Sequence, residues 1–413
     1  MRAPTLQRAA GVFQLTFMDE MIDVRADRVL ENSSFHTSCE LNIYSRRPSQ
    51  TGLILGKKRL NLSSAQTVSS TAKLLTNRMP EVEWDVLVEW VCRTVIDGYR
   101  EGDPVIHLPD HVASDSLRYR IDPYIQEKQH SLLFGSGGSG KSWLAMYMSL
   151  LVCTGEPNLD MHPEPGRVLY LDYETDSDTV WHRVNMITAG LQTPIAIPEG
   201  FYYRNMTHTL IADAQEIQKM VLDLGIDFLV IDSAAGATGA LIDDTLVNQY
   251  FNVIRELNIT ALTIAHIAKT ATDPTKAFGS TYWDARPRST LRANSSNEPG
   301  VKSFAMQLTH TKSNNGQFLK DRAYQLEFED GAVHFKYASL LGIPEFAENL
   351  TLGQRITNIL RRGGLTANEI AQELDAKRDS VRITLDRFRG DIYEVVGQKG
   401  PASVWGNLIR KND

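Results

Sequence analysis

Residues 135–142 read Gly-Ser-Gly-Gly-Ser-Gly-Lys-Ser and meet the G-x-x-x-x-G-K-[ST] pattern at each fixed position. Ahead of them the apolar run Ser131-Leu132-Leu133-Phe134 suits a buried strand, and behind them residues 143–151 have the composition of a helix. Strand, glycine loop and helix in that order narrow the possible folds more than any other feature of the chain. In Gly135, Ser136, Gly137, Gly138, Ser139 and Gly140 the small side chains let backbone N–H groups curl around phosphate oxygens. The helix N-terminus adds the positive end of its dipole. Lys141 is expected to reach the β- and γ-phosphates, the Ser142 hydroxyl to take a place on Mg²⁺, and Trp143 to adjoin the bound nucleotide. The plain alternative is a Gly/Ser-rich turn that happens to contain a lysine. The context favours a chain that binds ATP with Mg²⁺.

At 413 residues, 42% of them apolar, the chain can bury a full core and is long enough for two or three domains. A formal net charge of −7 excludes a uniformly basic nucleic-acid coat, though not a local basic groove. Cys39, Cys92 and Cys153 lie far apart and follow no metal-ligand spacing, so reduced thiols in a cytoplasmic protein are expected. No signal peptide is evident, and the longest apolar stretch, around 143–153, is too short to span a bilayer. No membrane partner is expected.

Three units follow from the pattern along the chain. Residues 1–110 read as a small α+β domain, with strand-like content at 12–17, 39–44 and 51–62 and helix-like content at 64–78 and 82–100. No chemistry is visible there, and packing or oligomerisation is its default role. The polar stretch 101–116 reads as a linker. Across 111–345 strands alternate with helices, which argues for a parallel, helix-covered sheet with strands at 131–134, 168–171, 228–231, 261–265 and 303–309. Residues 350–413 show helices at 354–362 and 379–389. A capping box, Thr366-Ala367-Asn368-Glu369, opens another helix between them, and a hairpin follows at 392–405. That order suits a winged helix-turn-helix.

Two apolar strands of the middle unit run out into acids. Phe228-Leu229-Val230-Ile231-Asp232 places Asp232 where a Walker-B aspartate holds Mg²⁺, although an aspartate there is also a common helix cap. Val168-Leu169-Tyr170-Leu171-Asp172-Tyr173-Glu174 carries Asp172 and Glu174, which as a bland alternative only solvate a loop. A third strand, Thr263-Ile264-Ala265-His266, ends on a histidine.

The ordered set Ala265-His266-Ile267-Ala268-Lys269, Phe278-Gly279-Ser280-Thr281, Arg286 and Arg288, then Thr311-Lys312-Ser313-Asn314-Asn315-Gly316 resembles the RepA-type hexameric helicases. These are ring-forming relatives of the DnaB helicases within the RecA-like class of P-loop ATPases. The resemblance covers roughly residues 118–340 and implies an α/β, RecA-like P-loop core. In AAA+ ATPases a glutamate follows the Walker-B aspartate, but here Ser233 does. The RecA-like pattern puts the catalytic glutamate at the end of the strand after the P-loop helix, which is Glu174. It also makes His266 a sensor of the γ-phosphate, against the simpler reading of a structural histidine. An arginine of the family reaches the neighbouring subunit's ATP site. Spacing from Gly279 favours Arg288, with Arg286 second and Lys312 as a lesser contact at the same interface. A site shared between subunits implies a homo-oligomeric ring, most simply a hexamer. The loops 234–244 and 269–281 are expected to face its channel, with Lys269 and Lys276 toward single-stranded DNA.

From residue 351 onward eleven basic residues stand against eight acidic ones, about +3 on a chain of −7. On the third helix Val381, Leu385 and Phe388 share a face, which leaves Arg378, Arg382 and Arg387 for a duplex groove, with Lys399 on the wing. Winged helices also dock proteins, and Asp379 and Asp386 dilute the basic face. The functional expectation is an ATPase, a DNA helicase or translocase of phage, virus or plasmid replication. A recombination or repair ATPase without unwinding, and an ATP-gated DNA-binding regulator, are the alternatives.

Overall fold

A computed structural model describes residues 2–9, 11–101, 105–110, 116–267, 279–297, 300–340, 343, 346 and 350–408. The first unit is an antiparallel meander of β1 (Thr5–Ala9), β2 (Val12–Phe17), β3 (Ile22–Glu31), β4 (Thr37–Ser45) and β5 (Gly52–Asn61), in that spatial order. Two helices, α1 (Ala65–Arg78) and α2 (Trp84–Glu101), cover one face. Strict alternation turns Phe13, Leu15, Ile22, Val24, Leu41 and Ile43 inward against Leu75, Leu87 and Val91.

The sequence pattern did not bring out β1 and β3. The first is a polar edge strand. The second carries Asp23, Arg25 and Asp27 on its outer face, from which Arg25 reaches the next unit. Arg25 bonds Asp223 at 3.1 Å, and Arg28 pairs with Glu216.

The central unit is built on a nine-stranded sheet. After the short β6 (Tyr119–Asp122) and β7 (Ile125–Gln126) come β8 (His130–Gly135) and α3 (Lys141–Thr154). The short β9 (His162–Pro163), β10 (Val168–Asp172), α4 (Ser177–Ala189), β11 (Phe201–Asn205), α5 (Ala214–Leu224) and β12 (Phe228–Asp232) follow. Then come α6 (Ala234–Thr238), α7 (Asp244–Leu257), β13 (Thr260–His266), α8 (Tyr282–Ala285), β14 (Ser289–Asn297), β15 (Ser303–Ser313), β16 (Arg322–Glu329) and β17 (Ala332–Ala338). The spatial order is β11-β10-β12-β13-β8-β14-β15-β16-β17.

From β11 to β14 every pairing is parallel, and β8, β10 and β12 are buried along their whole length, as a sheet covered on both faces requires. Alternate residues feed two cores. Leu133, Tyr170 and Val230 pack under α3 and α4, while Leu132, Leu171 and Ile231 pack under α5 and α7.

The expectation of a wholly parallel sheet needs correction. Beyond β14 the strands β15, β16 and β17 pair antiparallel, because no helix separates them and each returns as a hairpin. The edge strand β11 was also not expected. Its residues are only half-buried and give no apolar run.

The last described unit has its own small core. Thr351 caps α9 (Leu352–Ile359), and β18 (Leu365–Thr366) leads into α10 (Ala367–Glu373). The expected capping box is present, with Thr366 and Glu369 exchanging side chain–backbone bonds. Helix α11 (Arg378–Arg387) and the hairpin β19 (Tyr393–Lys399)–β20 (Ala402–Asn407) complete it around Ile370, Val381, Leu385, Tyr393 and Trp405. Among the described residues no helix is long and apolar enough to cross a membrane.

Candidate active site

Parallel strands deliver their C-terminal ends to one edge, and that register assembles the site. Asp172 lies beside Asp232, and His266 beside Gly135, the first residue of the glycine loop. Gly138 and Gly140 have φ of 74° and 83°, values that favour glycine. A Cβ on Gly140 would also meet the Phe304 ring at 2.7 Å, so the loop turns into α3 where only glycine fits.

Lys141 is buried and donates from Nζ to Ser136 O at 2.7 Å, Gly135 O at 3.2 Å and Ser139 Oγ at 3.3 Å. Burial lowers its pKa, opposed by the charges of Asp232 and Glu174. Trp143 sits two residues further on, with the Arg183 guanidinium 5.6 Å from its ring centre and Phe328 edge-on at 5.3 Å.

Asp232 is 4% exposed, and burial raises its pKa. Tyr170, diagonally across on β10, donates its hydroxyl to Asp232 Oδ2 at 2.6 Å, while Oδ1 is buried with no hydrogen-bond partner. The nearby Ser142 side chain favours the charged form of this carboxylate, against burial. An orphaned carboxylate oxygen beside a serine hydroxyl is an oxygen donor set that suits a hard divalent cation. The residues present therefore fit Mg²⁺.

Glu174 stands in the loop after β10. Asp172 fixes that loop, accepting from the Glu174 and Thr175 N–H groups at 2.9 and 3.1 Å and from Thr175 Oγ1 at 2.6 Å. Glu174 Oε1 accepts from Ser233 Oγ at 2.5 Å and His266 Nε2 at 3.1 Å. The His266 bond first, then Ser233 and the nearby positive charges, outweigh desolvation and hold the carboxyl down at about 2. Three strand ends thus meet at one carboxylate. The peptide joining Asp232 to Ser233 is cis.

The remaining candidates are spread more widely. Arg286 bonds Asn248 and Asn252 of α7 and lies over Tyr282, so its own subunit engages it. Lys312 donates to the Asp284 and Ala285 carbonyls at the end of α8, at 2.5 and 2.7 Å. Arg288 is exposed, and its N–H bonds His130 O at 2.9 Å. That places it at the start of β8, five residues before the loop begins and roughly 16 Å away along the strand. Ser280 bonds Asp244 at the N-terminus of α7, and a Cβ on Gly279 would strike the Leu241 carbonyl. The Gly-Ser pair therefore ties the segment before α8 to the start of α7.

One expectation changes at this level. The first part of the loop expected at 234–244 is helix α6, with Ala234, Ala237 and Thr238 buried and Gly236 close against Tyr173. Lys269 and Lys276, with positions 269–278 of the second loop, lie outside the described residues. Arg378, Arg382 and Arg387 are exposed on α11, whereas Lys399 donates to Glu369 Oε1 at 2.7 Å. Sequence reasoning missed Tyr170, Asp172 and Ser233 as members of the site. The only trace of them was polar residues within or just beyond otherwise apolar strands.

The AAA domain family matches residues 107–272, a stretch that holds the glycine loop, Glu174, Asp232 and His266. None of the curated proteins compared matches the chain. Among solved structures, a KaiC-like protein of the archaeon Pyrococcus horikoshii is 13% identical and covers 52% of this chain and 93% of its own, with a TM-score of 0.39. The flagellar accessory protein FlaH of Methanocaldococcus jannaschii is 11% identical over 52% of this chain and 92% of its own, with a TM-score of 0.36. The family match and the parallel sheet around the glycine loop support a P-loop ATPase core.

Proposed function

We propose that the chain is an ATP-hydrolysing ring motor acting on DNA, a replicative helicase or translocase of the RepA-like kind. The observation that carries the hydrolytic part is the meeting of Lys141, Asp232, Glu174 and His266 at the C-terminal ends of adjacent parallel strands. Loop N–H groups and Lys141 bind and orient the β- and γ-phosphates. Ser142 and Asp232 Oδ1 would hold Mg²⁺, which when bound would polarise the phosphoryl oxygens. Glu174 orients a water and accepts its proton as the water oxygen bonds the γ-phosphorus and the bond to the β–γ bridging oxygen breaks. ADP and phosphate leave, and Glu174 returns the proton to solvent. Held down at about 2, the Glu174 carboxyl is ionised across the neutral range, which suits it to orient the water more than to act as a strong base.

Arg288 supports the ring. It is exposed at the end of the sheet opposite its own glycine loop, which favours a role toward another copy's nucleotide over its own. A guanidinium supplied in that way is worth on the order of 10³–10⁵ in rate. The exposed arginines of α11 support a duplex contact by a winged helix, with Lys399 pinning the wing to α10.

Unwinding of a forked DNA duplex by the full chain with MgATP tests the reading. Activity that is lost in Lys141→Ala and in Arg288→Ala supports the motor. Hydrolysis untouched by Arg288→Ala removes the shared site and the ring with it. Hydrolysis without unwinding favours the recombination or repair ATPase.

A further inference from the structure

The geometry points to Ser233 as a positioning residue for the hydrolytic glutamate, an inference that rests on the reading of Glu174 given above. Ser233 occupies the N-cap position of α6, where a serine side chain ordinarily accepts a bond from an N–H of the first turn. Here it makes no such cap. Its hydroxyl is turned instead to Glu174 Oε1, at 2.5 Å, on a side chain that is 1% exposed overall. A capping bond has been given up in favour of a charge-assisted one, and the partner is the carboxylate beside Lys141.

Ser233 and His266 donate to the same oxygen, one from the end of β12 and one from the end of β13. Two donors on Oε1 fix the plane of the carboxylate, and no described residue donates to Oε2. Oε2 is therefore the oxygen left for the attacking water. The residue that stands where AAA+ enzymes carry their own glutamate aims the glutamate supplied by a different strand. His266 alone would leave the carboxylate free to turn about its bond; the second donor removes that freedom, and orientation of this kind is a large part of what a base contributes.

Steady-state ATP hydrolysis and nucleotide affinity of the full chain test this with Ser233→Ala, Ser233→Thr, Glu174→Gln and the Glu174→Gln/Ser233→Ala double variant. The expected result for Ser233→Ala is a roughly 10- to 100-fold fall in kcat, the scale of one bond to a charged group, with KM and ATP affinity within about twofold. Ser233→Thr keeps the hydroxyl and should restore most of the rate. In the Glu174→Gln background, Ser233→Ala should cause no further loss, because the residue acts only through the carboxylate. A Ser233→Ala enzyme with unchanged kcat, or one that loses ATP affinity in step with rate and is not rescued by threonine, overturns the inference and leaves Glu174 in place. A Glu174→Gln enzyme that hydrolyses at the parent rate overturns the reading of the base itself.

Discussion

Tyr170 shows how much of this site depends on groups that never touch substrate. Its ring is fully buried in the core under α3, and its hydroxyl gives Asp232 its one short bond from the sheet. Without that donor the buried Oδ2 would keep its desolvation cost and lose its compensation. Tyr170→Phe should therefore destabilise the folded chain by about 1–3 kcal/mol in urea unfolding. It should also weaken Mg²⁺-dependent ATP binding more than Mg²⁺-free binding, since the aspartate is then less firmly aimed. Equal loss with and without Mg²⁺ would assign Tyr170 to packing alone. Asp172 belongs to the same class of residue, fixing the turn that presents Glu174 rather than acting itself.

At the scale of single elements, β8 joins the glycine loop at one end to a buried histidine at the other. His130 bonds Thr263 Oγ1 of β13 at 2.7 Å, and Tyr250 of α7 bonds the same hydroxyl at 2.6 Å. Burial pushes the His130 pKa from 6.5 down to about 3. In the unfolded chain this imidazole takes up a proton as the pH falls below about 6.5, whereas in the folded chain it stays neutral until about 3. The unfolded state thus binds more protons across that window, and its contribution to stability declines as the solution is acidified. Urea unfolding at pH 7 and pH 5 should show lower stability at pH 5, with a smaller difference in His130→Gln. An unchanged difference in the variant would place the acid sensitivity elsewhere. Glu174 titrates lower: its folded pKa lies below the ordinary carboxylate range, so its contribution is full above about 4.5 and fades toward 2.

For the whole molecule the decisive relation lies between opposite ends of the sheet. Lys141 stands at the C-terminal edge and Arg288 at the N-terminal one, so under the proposed function a complete site takes two copies. Lys141→Ala and Arg288→Ala should each lack hydrolysis when alone. An equimolar mixture should recover a measurable part of it, because some interfaces then pair an intact loop with an intact arginine. A mixture as inactive as its components would argue that each subunit works by itself. The first unit is fastened to the same core by Arg25–Asp223 and Arg28–Glu216 on α5, the helix that leads into β12. This polar contact joins two separately cored units.

By itself the sequence determined the local chemistry: the glycine loop, the apolar strands ending in Asp232 and His266, and the capping box at Thr366. Each is written in a handful of adjacent residues whose backbone and side-chain preferences agree. Helices α1, α2 and α3 and the buried strands were legible for the same reason. The tertiary structure decided what adjacency in sequence does not encode. Strand order brought Ser233, His266 and Glu174 to one oxygen, although 59 and 92 residues separate the two donors from the acid. It turned Arg286 inward and left Arg288 exposed, two residues apart on the chain. It also folded the small residues after Asp232 into a packed helix rather than an open loop. Local preference names the groups; only the register of a parallel sheet sets which of them lie within a hydrogen bond of one another.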